Sequence, residues 1–169
     1  MVFNMILTST LETLYMVFFS TIFSLLIGFP IGILLVITKE GGILERPKLN
    51  KILEVLINTL RSFPFIILMI LVFPLSRIIV GTTIGSTAAI VPLSISAAPF
   101  VARMIEGALN EVDRGLIEAS SSMGASNSTI IWKVMIPETM PHIIHGITVT
   151  VISLIGFSAM AGTIGAGGL

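Results

Sequence analysis

A run of 25 residues without a charged side chain, residues 14–38, limits the possible folds of this chain more than any other feature. An α-helix of that length extends about 38 Å, whereas the hydrocarbon layer of a bilayer is about 30 Å thick. The composition agrees, since hydrophobic residues make up 54% of the chain, charged residues only 11%, and mean hydropathy is +1.07. So few charges cannot cover a water-facing surface. The sequence therefore predicts an integral membrane protein.

Three further apolar segments complete an all-α bundle of four predicted transmembrane helices. The second span combines the uncharged run 62–76 with residues 58–61, and the fourth covers residues 143–164. The third lies between Arg77 and Arg103 and is rich in glycine, alanine, serine and threonine. Because such a segment is too weakly apolar to face lipid all round, we expect it in the interior of the bundle.

Two pairs of glycines with a spacing of four mark possible close approaches between helices. Gly28 and Gly32 lie in the first span, and Gly81 and Gly85 begin the third. This spacing favours tight helix packing, although glycine is common in spans generally.

The second span contains its own breakers and a cation. Pro64 and Pro74 predict bends. Arg61 is expected near the cytoplasmic end, where its guanidinium would reach the headgroups. A role for Arg61 in substrate binding is the alternative.

The distribution of lysine and arginine predicts the orientation of the chain. None precedes the first span, and most lie in the segments that follow the first and third spans. Because positive residues favour the cytoplasmic side, we expect the amino terminus outside and residues 116–137 inside. The cations outside the spans are Lys39, Arg46, Lys48, Lys51, Arg77, Arg103, Arg114 and Lys133.

Residues 116–137, here called the hairpin, form a polar interruption between the third and fourth spans. Two short apolar-periodic pieces flank Gly124, which predicts helix, turn, helix. Asp113 can cap the first piece, and Ser126 or Asn127 the second. Pro137 is expected to end the second piece.

The hairpin resembles the EAA loop of permeases in ATP-binding-cassette (ABC) importers. The full spacing of that motif is present, with small or apolar exchanges at three positions. The resemblance implies that the hairpin is a coupling helix that docks into a groove of a cytoplasmic ATPase. An ordinary amphipathic loop between two spans is the alternative. The matching positions are Glu118, Ala119, Ser120, Gly124, Val134, Ile136 and Pro137.

Over most of its length the chain also resembles the permease subunits of methionine ABC importers. The similarity is carried by ETLYMVFFS at residues 12–20, RSFPFIIL at 61–68, residues 80–109, NEVDRGLIEA at 110–119 and GFSAMAGTIGAGGL at 156–169. It implies a single permease domain over residues 1–169, in a multi-pass protein of the cytoplasmic membrane. Because that family continues into a fifth span, it also implies that this sequence lacks its carboxyl-terminal helix.

The resemblance further implies the assembly and its substrate. Two copies of the permease would sit on two ATP-binding subunits, fed by an extracytoplasmic binding protein or lipoprotein. The implied substrate is methionine, in both L and D forms. One alternative is an ABC importer for another amino acid or small solute. The other is a membrane protein outside the ABC class.

Met160 is the candidate for a gate in the translocation path. It is the one large side chain among Ser158, Ala159, Ala161 and Gly162. Small neighbours let two helices approach with only the flexible thioether between them. The resemblance supports this role, because the family has a methionine at this place. Packing by one methionine among nine is the alternative.

Catalytic and cofactor sites are not indicated by the sequence. It contains no GxxxxGK[ST] phosphate-binding loop, so we expect a transporter subunit whose partner hydrolyses ATP. The absence of cysteine removes thiol chemistry, and His142 and His145 have too few neighbouring ligands to predict a metal site. Ser120 to Ser122 lack the GxSxG turn of a serine nucleophile, and no basic cluster suggests a nucleic-acid partner. A secondary transporter would need ionisable groups at the midplane, and these are absent apart from Arg61.

Overall fold

A computed structural model describes residues 2–169, which form helices joined by short connections. The predominance of helices confirms the all-α prediction, and no strand occurs within residues 2–169. The helices are α1 (Val2–Thr38), α2 (Pro47–Ser62), α3 (Phe65–Ile79), α4 (Ser86–Asn110), α5 (Arg114–Ser122), α6 (Asn127–Ile130), a π-helical turn (Ile131–Met135), α7 (Ile136–Glu138) and α8 (Met140–Gly162).

Three helices, α1, α4 and α8, are long and apolar enough to cross a membrane. A fourth span exists only if α2 and α3 are counted together, and this pair is bent by 108°. The second predicted span is therefore not one straight helix but two helices that meet at a sharp bend. Pro64 precedes α3 with an extended ψ of 136° and cannot donate a backbone hydrogen bond, so the helix restarts after it. The predicted bend at Pro64 is confirmed.

Helix α4 is the centre of the bundle and packs against α1, α3 and α8. Leu93, Val101 and Ile105 are fully buried on it, which confirms the predicted interior position of the third span. A Cβ atom at Gly28 would lie 2.7 Å from the carbonyl oxygen of Ala98, too close for any side chain. Gly32 approaches the next turn of α4 in the same way. The tight helix packing predicted for Gly28 and Gly32 is therefore confirmed.

The second glycine pair does not pack helices. Gly81 and Gly85 have φ angles of +85° and +99°, and no heavy atom lies within 4 Å of a Cβ built at either. They form the turn between α3 and α4, where positive φ requires glycine. The expectation of close packing at this pair is wrong, because backbone conformation and not proximity explains the glycines.

Side-chain hydrogen bonds fix which helix ends lie together. Lys39, just after α1, donates to the side chain of Asn110 at the end of α4. At the opposite end of the bundle, a Glu12 carboxylate oxygen accepts from the amide of Gly168 at 2.9 Å. The hairpin follows α4 directly, so it lies at the Lys39 end together with most of the cations.

Candidate functional site

Both helices of the hairpin begin with a side-chain cap. An oxygen of Asp113 accepts from the amide of Gly115 at 2.6 Å, and the hydroxyl of Ser126 accepts from the amide of Thr129 at 3.2 Å. These bonds satisfy amides that the first turn of a helix leaves without intrahelical partners. The predicted caps are confirmed, with Ser126 rather than Asn127 serving the second helix.

The turn between the two helices is a Schellman motif centred on Gly124. Its φ is +82°, the amide of Ala125 donates to the carbonyl of Ser120 at 3.1 Å, and the Gly124 amide donates to that of Ser121 at 2.9 Å. This pairing closes the last turn of α5 and requires a residue that tolerates the left-handed region. Gly124 therefore sets the angle between the two halves of the hairpin.

Pro137 does not end the second half of the hairpin, contrary to the prediction. The helical path runs on from α6 through the π-helical turn and α7 into α8. The Ile136 amide bonds to the carbonyl of Ile131, five residues back, in the turn directly before Pro137. This wider turn changes the bonding pattern just where proline lacks a donor. The hydroxyl of Thr139 then donates to the Met135 carbonyl at 2.9 Å.

The second half of the hairpin is anchored in the bundle. Ile130, Ile131, Met135 and Ile136 are buried in one cluster with side chains of α1 and α4, among them Ile105. The second half of the hairpin is therefore packed tightly against α1 and α4, and tightly packed interiors transmit strain.

Large apolar side chains remain exposed on the rest of the hairpin. Met123 is 82% exposed, Trp132 59% and Leu116 40%. Leu116 and Met123 therefore lie outside the core, although they belong to the apolar-periodic pattern of the first piece. Ile117 alone contacts the core from this piece. Exposed apolar side chains of this size are typical of interaction surfaces.

The residues of the sequence motif divide into an outward and an inward set. Glu118, Ala119, Gly124 and Pro137 are exposed, whereas Ile136 is buried. Val134 is half-buried within the π-helical turn. The outward set lies on the surface of the hairpin, and the inward residues connect that surface to the helices.

Glu118 also lines a cavity of about 140 Å³ between the hairpin and the connection from α1 to α2. Lys39 and Arg114 contribute positive charge to the same wall. Within residues 2–169, Glu118 forms no ion pair, so its carboxylate is available to another molecule.

A second cavity, of about 250 Å³, lies where the α2–α3 bend meets α4 and α8, and it is here called the bend cavity. Arg61 lines it together with Ser96 of α4 and Thr150 of α8. These two residues lie near the middle of their helices. The expected position of Arg61 near the cytoplasmic end is therefore wrong. The break at Phe63 and Pro64 places Arg61, whose side chain remains exposed, beside the cavity at this level, and no local pattern in the sequence indicated this.

Met160 lies in the last turns of α8 and is 44% exposed. Ser158 and Ala161 beside it are buried. Residues three apart share a helix face, so Met160 follows Phe157, which lines the bend cavity, by one turn.

The two histidines form no metal site in the described range, where no cluster of three or more potential ligands occurs. His142 lies 3.1 Å from a carboxylate oxygen of Glu111, and both side chains are more than half exposed. This contact connects the start of α8 to the end of α4.

Comparison with known proteins gives one consistent result. Residues 28–169 match the family described as binding-protein-dependent transport system inner membrane component. The chain is 56% identical over 161 residues to the probable D-methionine transport system permease protein MetI of Pasteurella multocida. The aligned residues make up 95% of this chain and 74% of that protein. The chain is also 50% identical over 151 residues to the D-methionine transport system permease protein MetI of Escherichia coli, covering 89% and 70%.

A solved structure has the same fold. It is an inward-facing conformation of the MetNI methionine ABC transporter, with a TM-score of 0.96 and 47% identity over 99% of this chain and 77% of the matched chain. Because the family profile covers most of the sequence and identity to the relatives is about half, the chain belongs to the binding-protein-dependent transport system inner membrane components.

Proposed function

We propose that this chain is the membrane-spanning permease subunit of an ATP-driven importer that carries L- and D-methionine across the cytoplasmic membrane. Its relatives carry the name of D-methionine permeases, and the matched structure is named as a methionine transporter. The observation that supports it most strongly within the molecule is the hairpin. It is capped at both helices, fixed by Gly124, exposed on one side and anchored to α1 and α4 on the other.

The energy for transport comes from ATP-binding subunits on the cytoplasmic side. The sequence has no phosphate-binding loop of its own, so hydrolysis belongs to the partner. Met123 and Trp132 supply apolar contact area for docking, and Glu118 supplies a charge. Each permease chain offers one hairpin, so two copies serve two ATP-binding subunits.

A second copy of the chain completes the path. Three or four helices do not enclose a channel for a polar solute, and many exposed apolar side chains remain on α1, α3 and α8. Some of them face lipid, and the others pack against the second copy. An extracytoplasmic binding protein or lipoprotein delivers the substrate at the end opposite the hairpin. Tilting of the bundle, driven by the two hairpins, alternates access between the two sides.

Met160 closes the outer part of this path. Its side chain lies one turn beyond the bend cavity, on the side away from the hairpin. A thioether can seal a narrow passage and move aside without breaking a hydrogen bond.

The orientation follows from the charges, with the amino terminus outside and the hairpin in the cytoplasm. Cysteine at Ser126 is then expected to react only with reagents that enter the cell, and cysteine at Asn4 with an impermeant maleimide. The native chain has no cysteine, so it provides a blank for both labels. The reverse labelling pattern would contradict this orientation.

The proposed function is tested by reconstitution. The chain is coexpressed with an ATP-binding subunit, purified as a complex and placed in liposomes with a methionine-loaded binding protein. We expect uptake of labelled methionine with ATP and none without it or without the partner. ATP-dependent uptake of another solute but not methionine would reject the substrate. Failure of any ATP-binding subunit to copurify would reject the permease assignment itself.

A further inference from the structure

We infer that the bend cavity is a binding site within the membrane for the substrate in transit, and that it recognises a carboxylate carried by a molecule with an apolar side chain. This inference rests on the proposed function and extends it to named residues.

Arg61 gives the cavity its charge. It lies level with the middle of α4 and α8, and throughout residues 2–169 no carboxylate pairs with it. A guanidinium at this depth is costly unless it faces a cavity or a counter-ion. Arg103, by contrast, lies nearer the end of α4 and is engaged by Glu106 and by Asn58 at 2.7 Å. Among the described residues Arg61 therefore lacks a carboxylate partner, whereas Arg103 has one.

Ser96 supplies a second unpaired polar group. It is only 8% exposed and lines the cavity, and its hydroxyl has no hydrogen-bond partner among the described residues. Ser94 lies two residues earlier on the same helix and is also buried, yet its hydroxyl donates to the carbonyl of Ile90 at 2.5 Å. Buried hydroxyls are normally satisfied, and of the three unpaired ones among the described residues, those of Ser20, Ser76 and Ser96, only that of Ser96 belongs to a residue in the wall of this cavity, where it lacks an acceptor. A ligand carboxylate between Ser96 and Arg61 would supply it.

Most of the remaining wall is apolar and aromatic. Phe65 and Phe157 stack with ring centroids 3.6 Å apart, and Leu68, Phe100 and Leu154 also line the cavity. Aromatic rings make favourable contacts with a thioether. The volume of 250 Å³ lies just below the range of drug-sized pockets, which suits a single small amino acid.

The charge balance of the cavity defines the ligand class. Arg61 is the single charged residue in the lining, and no carboxylate is present to receive a positive side chain. Once the ligand carboxylate pairs with Arg61, the α-ammonium of the amino acid is the one positive charge left over. Lysine and arginine would add a second positive charge without a counter-ion, so amino acids with neutral apolar side chains are preferred.

The test compares methionine with methioninamide, in which a neutral amide replaces the carboxylate. Both are measured on the reconstituted complex of permease and ATP-binding subunits, by uptake and by direct equilibrium binding without the external binding protein. We expect the unmodified complex to prefer methionine over the amide by about tenfold or more, because a hydrogen bond to a charged group is lost. Arg61→Gln should weaken methionine binding by a similar factor and abolish the preference.

Matched variants separate recognition from folding. Arg77→Gln removes a cation from the exposed end of α3, outside the cavity, and should leave the preference unchanged. Ser96→Ala should weaken methionine binding about threefold to tenfold, whereas Ser94→Ala should not. If Arg61→Gln does not assemble, the serine pair decides, and equal affinity of Ser96→Ala and the unmodified complex overturns the inference.

The two proposals fail in different ways. ATP-driven methionine uptake without discrimination between acid and amide, unchanged in Arg61→Gln, overturns the cavity as the recognition site and leaves the proposed function intact. Binding that discriminates through Arg61, without any ATP-driven uptake, rejects the proposed function and supports the site.

Discussion

The hairpin and the bend cavity differ in which groups find partners within the chain, the polar groups or the apolar side chains. In the hairpin, Asp113 and Ser126 pair with backbone amides at the helix starts, while the apolar side chains of Met123 and Trp132 remain exposed. In the bend cavity the apolar rings are stacked against one another, and the polar group of Ser96 stays unpaired.

Each region lacks what a different kind of molecule provides. The hairpin offers apolar surface, which another folded protein can cover over a broad area. The cavity offers a cation and a hydroxyl in a small enclosure, which suits a small anionic group. The comparison predicts that substitutions in the hairpin act on association with a protein, whereas those at the cavity act on selection of a solute.

The largest effect is expected from a charge at the exposed methionine. Met123→Glu places a carboxylate where the docking surface is most apolar, and we expect it to abolish stable association with the ATP-binding subunit. Ser121→Glu adds the same charge at an exposed polar position of α5 and should retain association. Copurification in mild detergent measures both. Equal recovery of the partner with the two variants would contradict a docking role for Met123.

A smaller and more selective effect is expected at the proposed gate. Met160→Ala enlarges the passage, so basal ATPase activity or solute leak should rise without substrate. Met160→Trp should block uptake while the complex still assembles. ATPase rate and methionine uptake in the same liposomes separate the two outcomes. If both variants match the unmodified transporter in both assays, Met160 is not in the path.

The smallest effect is expected from removing one cap. Ser126→Ala loses the bond to the amide of Thr129, which should cost about 1 kcal/mol of local stability. The hairpin should then be cleaved faster by a protease, with uptake reduced only slightly. Asn127→Ala is the control, because Asn127 does not provide the cap. Equal cleavage rates for the two variants would remove Ser126 from this role.

The hairpin could be predicted from the sequence because its determinants are local. Asp113, Gly124 and Ser126 lie within 14 residues and act on amides and carbonyls a few positions away. The exposure of Met123 could not be predicted in the same way, because periodicity shows that a side chain shares a face without showing what covers that face.

The bend cavity could not be predicted, because it is built from segments far apart in the chain. Arg61 and Thr150 meet there only after α2, α3, α4 and α8 have packed. The two glycine pairs show the same limit, since equal spacing at Gly28 and Gly81 produced a helix contact in one case and a left-handed turn in the other. The neighbouring helix that distinguishes them is not encoded within a few residues.

The central claim is that the hairpin couples ATP hydrolysis to movement of the membrane helices. It is tested most directly by measuring methionine-stimulated ATPase activity and uptake together in liposomes for Glu118→Lys and Gly124→Val. The first reverses an exposed charge, and the second forces a β-branched residue into the left-handed turn at a cost of about 1–2 kcal/mol. We predict that both variants insert into the membrane and lose substrate-stimulated hydrolysis and uptake. Retention of substrate-stimulated transport by both would contradict the coupling role.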